Sequence, residues 1–482
     1  MNEIEGYRLA SEQAHKRMSP RAKRLAMLEQ WVDGTQYAGL ADWFADVPIS
    51  EKAPCIVEPI VADAIESHVD MVLGEGRFPA ITSRPAEDES EADEGADNDG
   101  STADDDDGGL NEDESSALDK LIAGATEQAR FRALCREALA LAMGCGSGCA
   151  IYGARNGKLF GDSVKARWCT PEFGPDGRSV TKLVIEYPYV DTYQDESGQW
   201  RSRALVYRRE IDDKSDVTML PARADIAKPK WVADPKFNLQ HGLGFCPVVW
   251  YPFMRGCSIV GQIDGAAVHA NLTDEIRAHD TALSQRHRAA LYAGDPQWTE
   301  VGVEPGSNPS AAGKISPLPV TKDGGAPSAD NPVIGMYPNP GSNQTTGRKK
   351  HPGTIWQYEN DAVKVQLHTL PGDALKALFD HATDVRGKIM QALAYVPLDP
   401  ESSKVMRGAL SGKALESLRE RQLNRDDKIR DDFGDGFITP SISMILRICA
   451  VKGSGLRVRG LAGATKVLAK FNQPEAPTDA VA

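Results

Sequence analysis

The chain has 482 residues, which is enough for two or more subdomains with a sizeable core. It contains no run of about 18 apolar residues, and its first residues lack a basic stretch followed by an apolar one, so the sequence predicts neither a membrane span nor a secretion signal. Eight scattered cysteines are typical of reduced thiols in a cytoplasm rather than of a disulfide scaffold.

The net charge of −14 comes from one segment. Residues 86–118 hold 15 acidic side chains and no Lys or Arg, so that 54 acids face 55 bases in the remainder. A segment so rich in Asp, Glu, Gly and Ser cannot offset its ordering entropy by burial. We therefore expect a solvated, disordered insertion, with a metal-buffering or partner-binding tail as the alternative.

Helices are predicted on both sides of this insertion. Residues 5–32 have helical character with a basic early part, whose cations could contact nucleic acid or form a solvated face. Residues 57–72, with His68 on the apolar stripe, form a second amphipathic helix that ends at glycines 74 and 76. After the insertion, helices resume over 118–139 and lead into the glycine-rich string 144–153.

The periodicity changes to that of strands between residues 150 and 252. Residues 183–193 and 200–211 are rich in aromatic and β-branched side chains and flank a turn at Asp195-Glu-Ser-Gly198, which predicts a β-hairpin. Residues 241–250 form a glycine-led turn into a buried strand.

Helical spacing returns after this region. Gly261 to Tyr292 is predicted as a helix, residues 295–360 as long loops with short strands, and residues 363–367 as one alternating strand. Residues 371–395 carry a single apolar stripe: Leu375, Leu378, Ala382, Val385, Ile389 and Leu393.

A polar loop and two further helices follow. The loop spans 396–410, and Ser411 can cap a strongly charged helix that is either solvated or faces charged partners. Residues 437–451 form an apolar helix, residues 457–470 are ambiguous, and residues 473–482 are expected to be disordered.

Motifs for catalysis are not found. Cys145 and Cys149 lack the second close-spaced pair of a structural zinc site, and small residues packing where a helix meets a strand explain them better. No dinucleotide fingerprint or phosphate loop occurs. His269, His279 and His287 do not form a zinc-protease pattern and are expected on a helix surface or interface. The sequence thus predicts a protein that is not an enzyme and needs no cofactor or metal.

Taken in order, these segments resemble the portal proteins of tailed bacteriophages. The string His241-Gly-Leu-Gly-Phe-Cys-Pro-Val-Val-Trp250 resembles the strand before the first stem helix of that family, and Ser411-Gly-Lys-Ala-Leu415 resembles the start of its long helix. The resemblance covers most of the chain and consists of order and local character rather than one diagnostic motif. The acidic insertion has no counterpart, and the short C-terminal part implies a reduced crown.

The resemblance implies an α+β fold that assembles into a ring. The divisions would be a wing at 1–260, a stem helix at 261–293, a small β-containing clip at 294–368, a second stem helix at 369–395, a tunnel loop at 396–410, a long helix with the wing or crown return at 411–450, and a short C-terminal tail at 451–482.

The implied function is a channel for duplex DNA at one vertex of a capsid. A homo-oligomer of twelve subunits, assembled in the host cytoplasm and carried in the virion, would contact terminase, head-completion adaptors, and the major capsid and scaffolding proteins, without a membrane. A near-neutral body suits such a conduit, because strong phosphate pairing would slow translocation. The alternative is a non-enzymatic cytoplasmic scaffold with a disordered acidic loop.

The resemblance also assigns residues. The tunnel loop would place Ser402, Ser403, Lys404 and Arg407 at the narrowest part of the channel, although the two cations could equally pair with acidic residues of the same or adjacent loops. The apolar stripes of the two stem helices would bury their faces between subunits: Leu272, Ile276, Leu375, Leu378, Val385 and Ile389.

Overall fold

The computed structural model describes residues 12, 15–16, 18–43, 45, 47–84, 112–155, 158–195, 198–226, 229–254, 263–294, 297–301, 364–368, 372–396, 412–451 and 466–470. The helices in these ranges are α1 Pro20–Asp33, α2 Ile60–Leu73, α3 Glu112–Gln128, α4 Phe131–Cys145, α5 Thr273–Gly294, α6 Gly372–Leu393, α7 Gly412–Phe433 and α8 Thr439–Ala450. The strands are β1 Ala80–Arg84, β2 Ser147–Arg155, β3 Lys158–Lys165, β4 Cys169–Phe173, β5 Val180–Gln194, β6 Trp200–Ile211, β7 Ser215–Met219, β8 Ala222–Arg223, β9 Ala233–Gln240, β10 Val248–Pro252, β11 Gln297–Val301, β12 Lys364–His368 and β13 Lys466–Lys470.

The fold is mixed α+β with antiparallel sheets, as the sequence predicts for its class. The largest sheet has the order β4-β5-β6-β7-β9, with β8 paired to β6; a three-stranded sheet has the order β10-β2-β3, and two strand pairs join β1 to β13 and β11 to β12. The chain divides into two compact units, one of residues 1–53, 57–277 and 387–482, and the other of residues 54–56 and 278–386.

The predicted hairpin is confirmed as β5 and β6. Tyr187 lies opposite Tyr207 in the antiparallel register, and their rings stack with centroids 4.9 Å apart. Gly198 adopts a left-handed φ of 78° in the connecting turn, which a residue with a Cβ rarely accepts. The predicted strand after the turn at 241–247 is also confirmed, since every residue of β10 is buried.

The glycine-rich string after α4 allows a helix to pack closely on a strand. A Cβ at Gly148 would lie 2.8 Å from the carbonyl oxygen of Ala138 one layer away. Cys145 and Cys149 are buried at this contact, and Cys145 Sγ donates to Glu29 Oε1 at 3.5 Å. This arrangement matches the expectation of small residues where a helix meets a strand.

The prediction of one continuous helix over 5–32 is wrong at residues 18 and 19, which are not helical, whereas the described residues 12, 15, 16 and 20–33 are. Ser19 is extended and its hydroxyl accepts a hydrogen bond from the backbone N–H of Ala22, so that α1 begins at Pro20. Proline is favoured at this first position because its missing N–H is not needed there. Gly34, with a φ of 70°, ends the helix as predicted.

The prediction of helix from Gly261 is also wrong. The described residues 263–272 are not helical, and α5 begins at Thr273. The backbone N–H of Gly265 donates to Gly146 O, and that of Val268 donates to Met143 O, so these groups are unavailable for helical bonds. A Cβ at Gly265 would lie 1.9 Å from Phe253 O, which explains the glycine at this close approach.

The acidic insertion is shorter than predicted, because residues 112–118 lie within α3. Residues 86–111 lie outside the described residues. On the N-terminal side of the insertion, β1 pairs with β13, so residues 466–470 of the ambiguous stretch 457–470 form a strand, and residues 457–465 lie outside the described residues.

The last two helices are joined by a π-helical turn, Gly434–Ile438. A Cβ at Gly436 would lie 2.9 Å from the ring of Tyr251, and the rings of Phe433 and Phe437 stack at 4.8 Å beside it. The apolar helix predicted over 437–451 is observed as the end of this turn followed by α8. The π-helical turn thus places Gly436 against the ring of Tyr251 and connects α7 to α8 without a loop.

Candidate functional site

The first candidate region is the pair of helices in the unit that contains residues 278–386. His279 Nδ1 lies 3.1 Å from the carbonyl oxygen of Ala382, and the guanidinium of Arg286 lies 4.8 Å from the ring centroid of Phe379. Beyond them, β11 pairs antiparallel with β12, with Gln297 opposite His368. The two contacts between the helices show that α5 and α6 run antiparallel, because the later residue of α5 lies against the earlier residue of α6.

The predicted interface residues do not all lie at the surface. Ile276 and Ile389 are buried within the chain, whereas Leu378 and Val385 are half-buried. Leu272 is half-buried and precedes α5; its carbonyl oxygen accepts the backbone N–H of Ile276. The side chain of Leu375 lies outside the described residues.

Two large apolar side chains on these helices are exposed although the sequence analysis did not single them out. Phe379 on α6 is 43% exposed, and Leu291 on α5 is 50% exposed. Exposed apolar side chains are common singly, and their meaning depends on whether a partner covers them. Phe379 lies beside the apolar stripe of α6 rather than on it, so the helical periodicity gave no reason to assign it a contact.

The tunnel-loop residues Ser402, Ser403, Lys404 and Arg407 lie outside the described residues. The described flanks of this loop are the end of α6 and the helix α7. The backbone N–H of Val396 donates to Gln422 Oε1 at 3.1 Å, and Arg425 donates to the carbonyl oxygen of Ala392.

The second candidate region is a buried polar network between α2, the end of α6 and α7. His68 Nδ1 lies 2.5 Å from Asp426 Oδ1, and His68 Nε2 lies 3.0 Å from the carbonyl oxygen of Leu393. Gln422 donates to the hydroxyl of Ser67 at 3.2 Å. The exposed fractions of the His68 and Asp426 side chains are 1% and 0%.

This network corrects the expectation that α7 is solvated or faces charged partners. Gln422, Asp426 and Arg430 recur every four residues and are buried, and Arg430 donates to the carbonyl oxygen of Met71 at 2.5 Å. The sequence signal was available, since these residues share a helical face with the apolar Ile429 and Phe433. Burial raises the pKa of the Asp426 carboxyl group, because desolvation disfavours the charged form.

A third polar cluster centres on Asp264. Arg21 donates to both of its carboxylate oxygens, at 2.6 and 2.7 Å, and Arg24 and the hydroxyl of Ser147 donate to it as well. The Asp264 side chain is 3% exposed. Two cations of the basic face predicted on the first helix, Arg21 and Arg24, are therefore paired with a buried carboxylate of the same chain.

The three histidines predicted on a helix surface or at an interface differ in burial, and His279 lies between α5 and α6. His269 and His279 are buried, and only His287 of the three is exposed. His269 Nε2 lies 3.1 Å from the carbonyl oxygen of Leu28, and burial lowers its pKa to about 4. Such a histidine stays neutral at physiological pH and serves packing and hydrogen bonding.

None of the described helices combines the length and apolar composition needed to cross a lipid bilayer. Within the described ranges, no three His, Cys, Asp or Glu side chains are grouped so that they could hold a metal ion. No model of a known protein family matches this sequence, and a search of curated proteins finds no match.

Proposed function

We propose that this chain is a subunit of a phage portal ring, the channel through which duplex DNA enters and leaves a capsid. The observation that carries the proposal is the α5–α6 pair with the strand pair β11–β12 beyond it. This order of helix, inserted segment, strand and returning helix is the one expected of a stem and clip in the family that the sequence resembles.

The exposed side chains of the two helices support assembly. Phe379 and Leu291 leave apolar surface in water, and contact with a neighbouring subunit would remove it from water at about 25 cal/mol per Å². In a ring with head-to-tail interfaces, one face of each subunit contacts a different face of the next subunit, so that apolar patches on both faces can be buried. The expected ring has twelve subunits, and its partners would be terminase, head-completion adaptors and the capsid and scaffolding proteins.

The charge balance is compatible with a DNA conduit. Outside residues 86–118 the acids and bases nearly cancel, and several cations of the large sheet pair with neighbouring acids, as Arg203 does with Asp191 and Arg209 with Asp216. Pairing of this kind limits tight phosphate binding, which would otherwise resist movement of the duplex. No catalytic group is required for this role.

Electron microscopy of the purified chain tests the proposal. We expect rings with a central hole, and light scattering should give a mass of several subunits at micromolar concentration. A monodisperse monomer at every salt concentration would overturn the proposal and favour a scaffold of another kind.

A second experiment tests whether the tunnel loop meets DNA. Replacing Lys404 and Arg407 by Ser should leave the rings intact and weaken the salt dependence of binding to a labelled duplex. The matched control replaces two exposed lysines by Ser: Lys214 in the turn between β6 and β7, and Lys236 on β9. Equal salt dependence in the wild type and the loop variant would show that the loop cations pair with acids of the loops instead.

A further inference from the structure

The contacts of His68 fix the number of protons that it shares with Asp426. One ring nitrogen faces a carboxylate oxygen at 2.5 Å and the other faces a carbonyl oxygen at 3.0 Å. A neutral imidazole has one N–H and can donate to one of them. The carbonyl oxygen of Leu393 can accept but never donate, so the contact at Nε2 requires a proton on that nitrogen.

The contact at Nδ1 then requires a second proton. Either the imidazole is doubly protonated and donates to an ionised Asp426, or Asp426 is protonated and donates to the neutral imidazole. Both forms hold two protons and have no net charge. If Asp426 is ionised and His68 is neutral, the pair holds one proton. One ring nitrogen then has no proton and faces another acceptor, either the carboxylate or the carbonyl oxygen, so one of the two hydrogen bonds is lost.

The surroundings favour the neutral pair. Both side chains are almost fully buried, and among the described residues Asp426 Oδ2 has no hydrogen-bond partner, so an isolated negative charge there would be poorly solvated. The charged groups on α7 that act on Asp426 are Arg430, Arg425 and Asp427. Arg430 is engaged by Asp427 and by the carbonyl oxygen of Met71 on α2, while the end of α6 presents a neutral carbonyl.

We propose that His68 and Asp426 form a proton-dependent clamp that binds the C-terminal end of α6 to α2 and α7. The clamp is closed while the pair holds both protons. Loss of one proton breaks either the contact with Leu393 or the contact between the two side chains, and the end of α6 loosens. This inference is independent of the portal assignment, because it uses contacts within one chain.

The sign of the pH dependence follows from the proton count. In an open or unfolded chain, Asp is ionised above about pH 3.9 and His is neutral above about pH 6.5, so the two groups hold one proton at pH 7 to 8. The closed clamp holds two. Raising the pH therefore favours the open state, by up to about tenfold in the opening equilibrium per pH unit, until the closed pair itself loses its proton.

Hydrogen exchange of the backbone amides at residues 388–396 measures the opening. After correction for the intrinsic exchange rate, we expect protection in the wild type to fall by up to about tenfold between pH 7 and 8. In Asp426→Asn, the amide can donate to Nδ1 and carries no titratable proton. Its protection should stay constant between pH 7 and 8, where an exposed histidine is also mostly neutral and opening therefore neither binds nor releases a proton.

Two control variants separate the clamp from other titrations. His269→Gln removes a buried histidine that stays neutral throughout this range, and Asp431→Asn removes an exposed charge on α7. Both should retain the wild-type pH dependence in the 388–396 amides. Ending the range at pH 8 avoids ionisation of the buried cysteines, whose pKa in an unfolded chain is about 8.5.

Two results would overturn the proposal. One is a pH dependence that is the same in the wild type and in Asp426→Asn. The other, which needs no variant, is protection in the wild type that stays constant or rises between pH 6 and 8. The second result applies even if Asp426→Asn does not fold.

Discussion

Two pairs of helices in this chain differ in what they bury at their contact and what they leave exposed. Helices α2 and α7 meet through buried polar groups, with His68 against Asp426 and Ser67 against Gln422. Helices α5 and α6 make the contact between His279 and Ala382 and leave Phe379 and Leu291 exposed. The buried polar groups of the first pairing find partners within the chain, whereas the second pairing leaves apolar surface exposed.

The difference shows what hydrogen bonds add to packing. A buried polar group must find its partner, because leaving it without one costs about 1–3 kcal/mol, so the α2–α7 network permits few alternative registers. The α5–α6 pair also buries polar side chains, those of His279, Asp280 and Ser284, but it leaves the large apolar side chains of Phe379 and Leu291 exposed. We therefore expect changes near α7 to act on folding and changes on the α5–α6 surface to act on assembly.

The largest effect is expected from Phe433→Ala. Phe433 is fully buried, stacks on Phe437 and packs edge-on against Tyr251, with centroid distances of 4.8 and 5.2 Å. The resulting cavity should lower the free energy of unfolding by about 3–5 kcal/mol, measured by chemical denaturation. Phe433→Leu, the matched control, should lower the free energy of unfolding much less. Equal losses in the two variants would argue against a packed aromatic cluster.

A similar loss is expected from Asp264→Ala. The change leaves the half-buried Arg21 without its carboxylate partner, which should lower the free energy of unfolding by about 3 kcal/mol. Asp274→Ala, at an exposed position in the first turn of α5, should cost about 0.5 kcal/mol. If both variants melt alike, the Asp264 cluster does not hold residues 263–272 in place.

An intermediate effect is expected from Gly436→Ala. The new Cβ would lie 2.9 Å from the ring of Tyr251, and relief of this overlap should cost about 1–3 kcal/mol. Gly387→Ala on α6 is the control, since a Cβ there meets nothing within 4 Å. That variant should gain about 0.5–1 kcal/mol from helix propensity, so the two substitutions should shift the denaturation midpoint in opposite directions.

A small effect on folding but a clear effect on assembly is expected from Phe379→Ser. An exposed substitution changes the free energy of unfolding by about 0.5 kcal/mol or less. Light scattering should nevertheless show weaker assembly, while Ala377→Ser on the exposed part of the same helix should assemble as the wild type does. Normal assembly of Phe379→Ser would remove this side chain from the interface.

The smallest effect is expected from replacing residues 86–111 by a short Gly/Ser linker. Loop length affects closure entropy only weakly, about 0.6 kcal/mol for each doubling, so the melting temperature should change little. Extending the replacement to residue 118 removes the start of α3 and should lower the melting temperature. A drop of about 10 °C from the shorter replacement alone would show that the segment packs against the fold.

Local patterns were sufficient to predict α2, the β5–β6 hairpin, β10 and α6. Each has a complete apolar period and a local stop signal, such as Gly198 in the hairpin turn, and needs no distant residue to specify it. The α+β class follows from these elements. The portal assignment and the tunnel-loop residues remain predictions.

Contacts between distant parts of the chain determine the features that the sequence did not predict. Residues 263–272 have helical spacing, yet their backbone groups bond to Gly146 and Met143, more than 100 residues earlier in the chain. Asp264 and Asp426 look like surface acids in the sequence and are buried, because Arg21 and His68 lie beside them only in the folded chain. Sequence periodicity reports which face of an element is apolar, but whether a polar group is buried depends on a partner that distant parts of the chain supply.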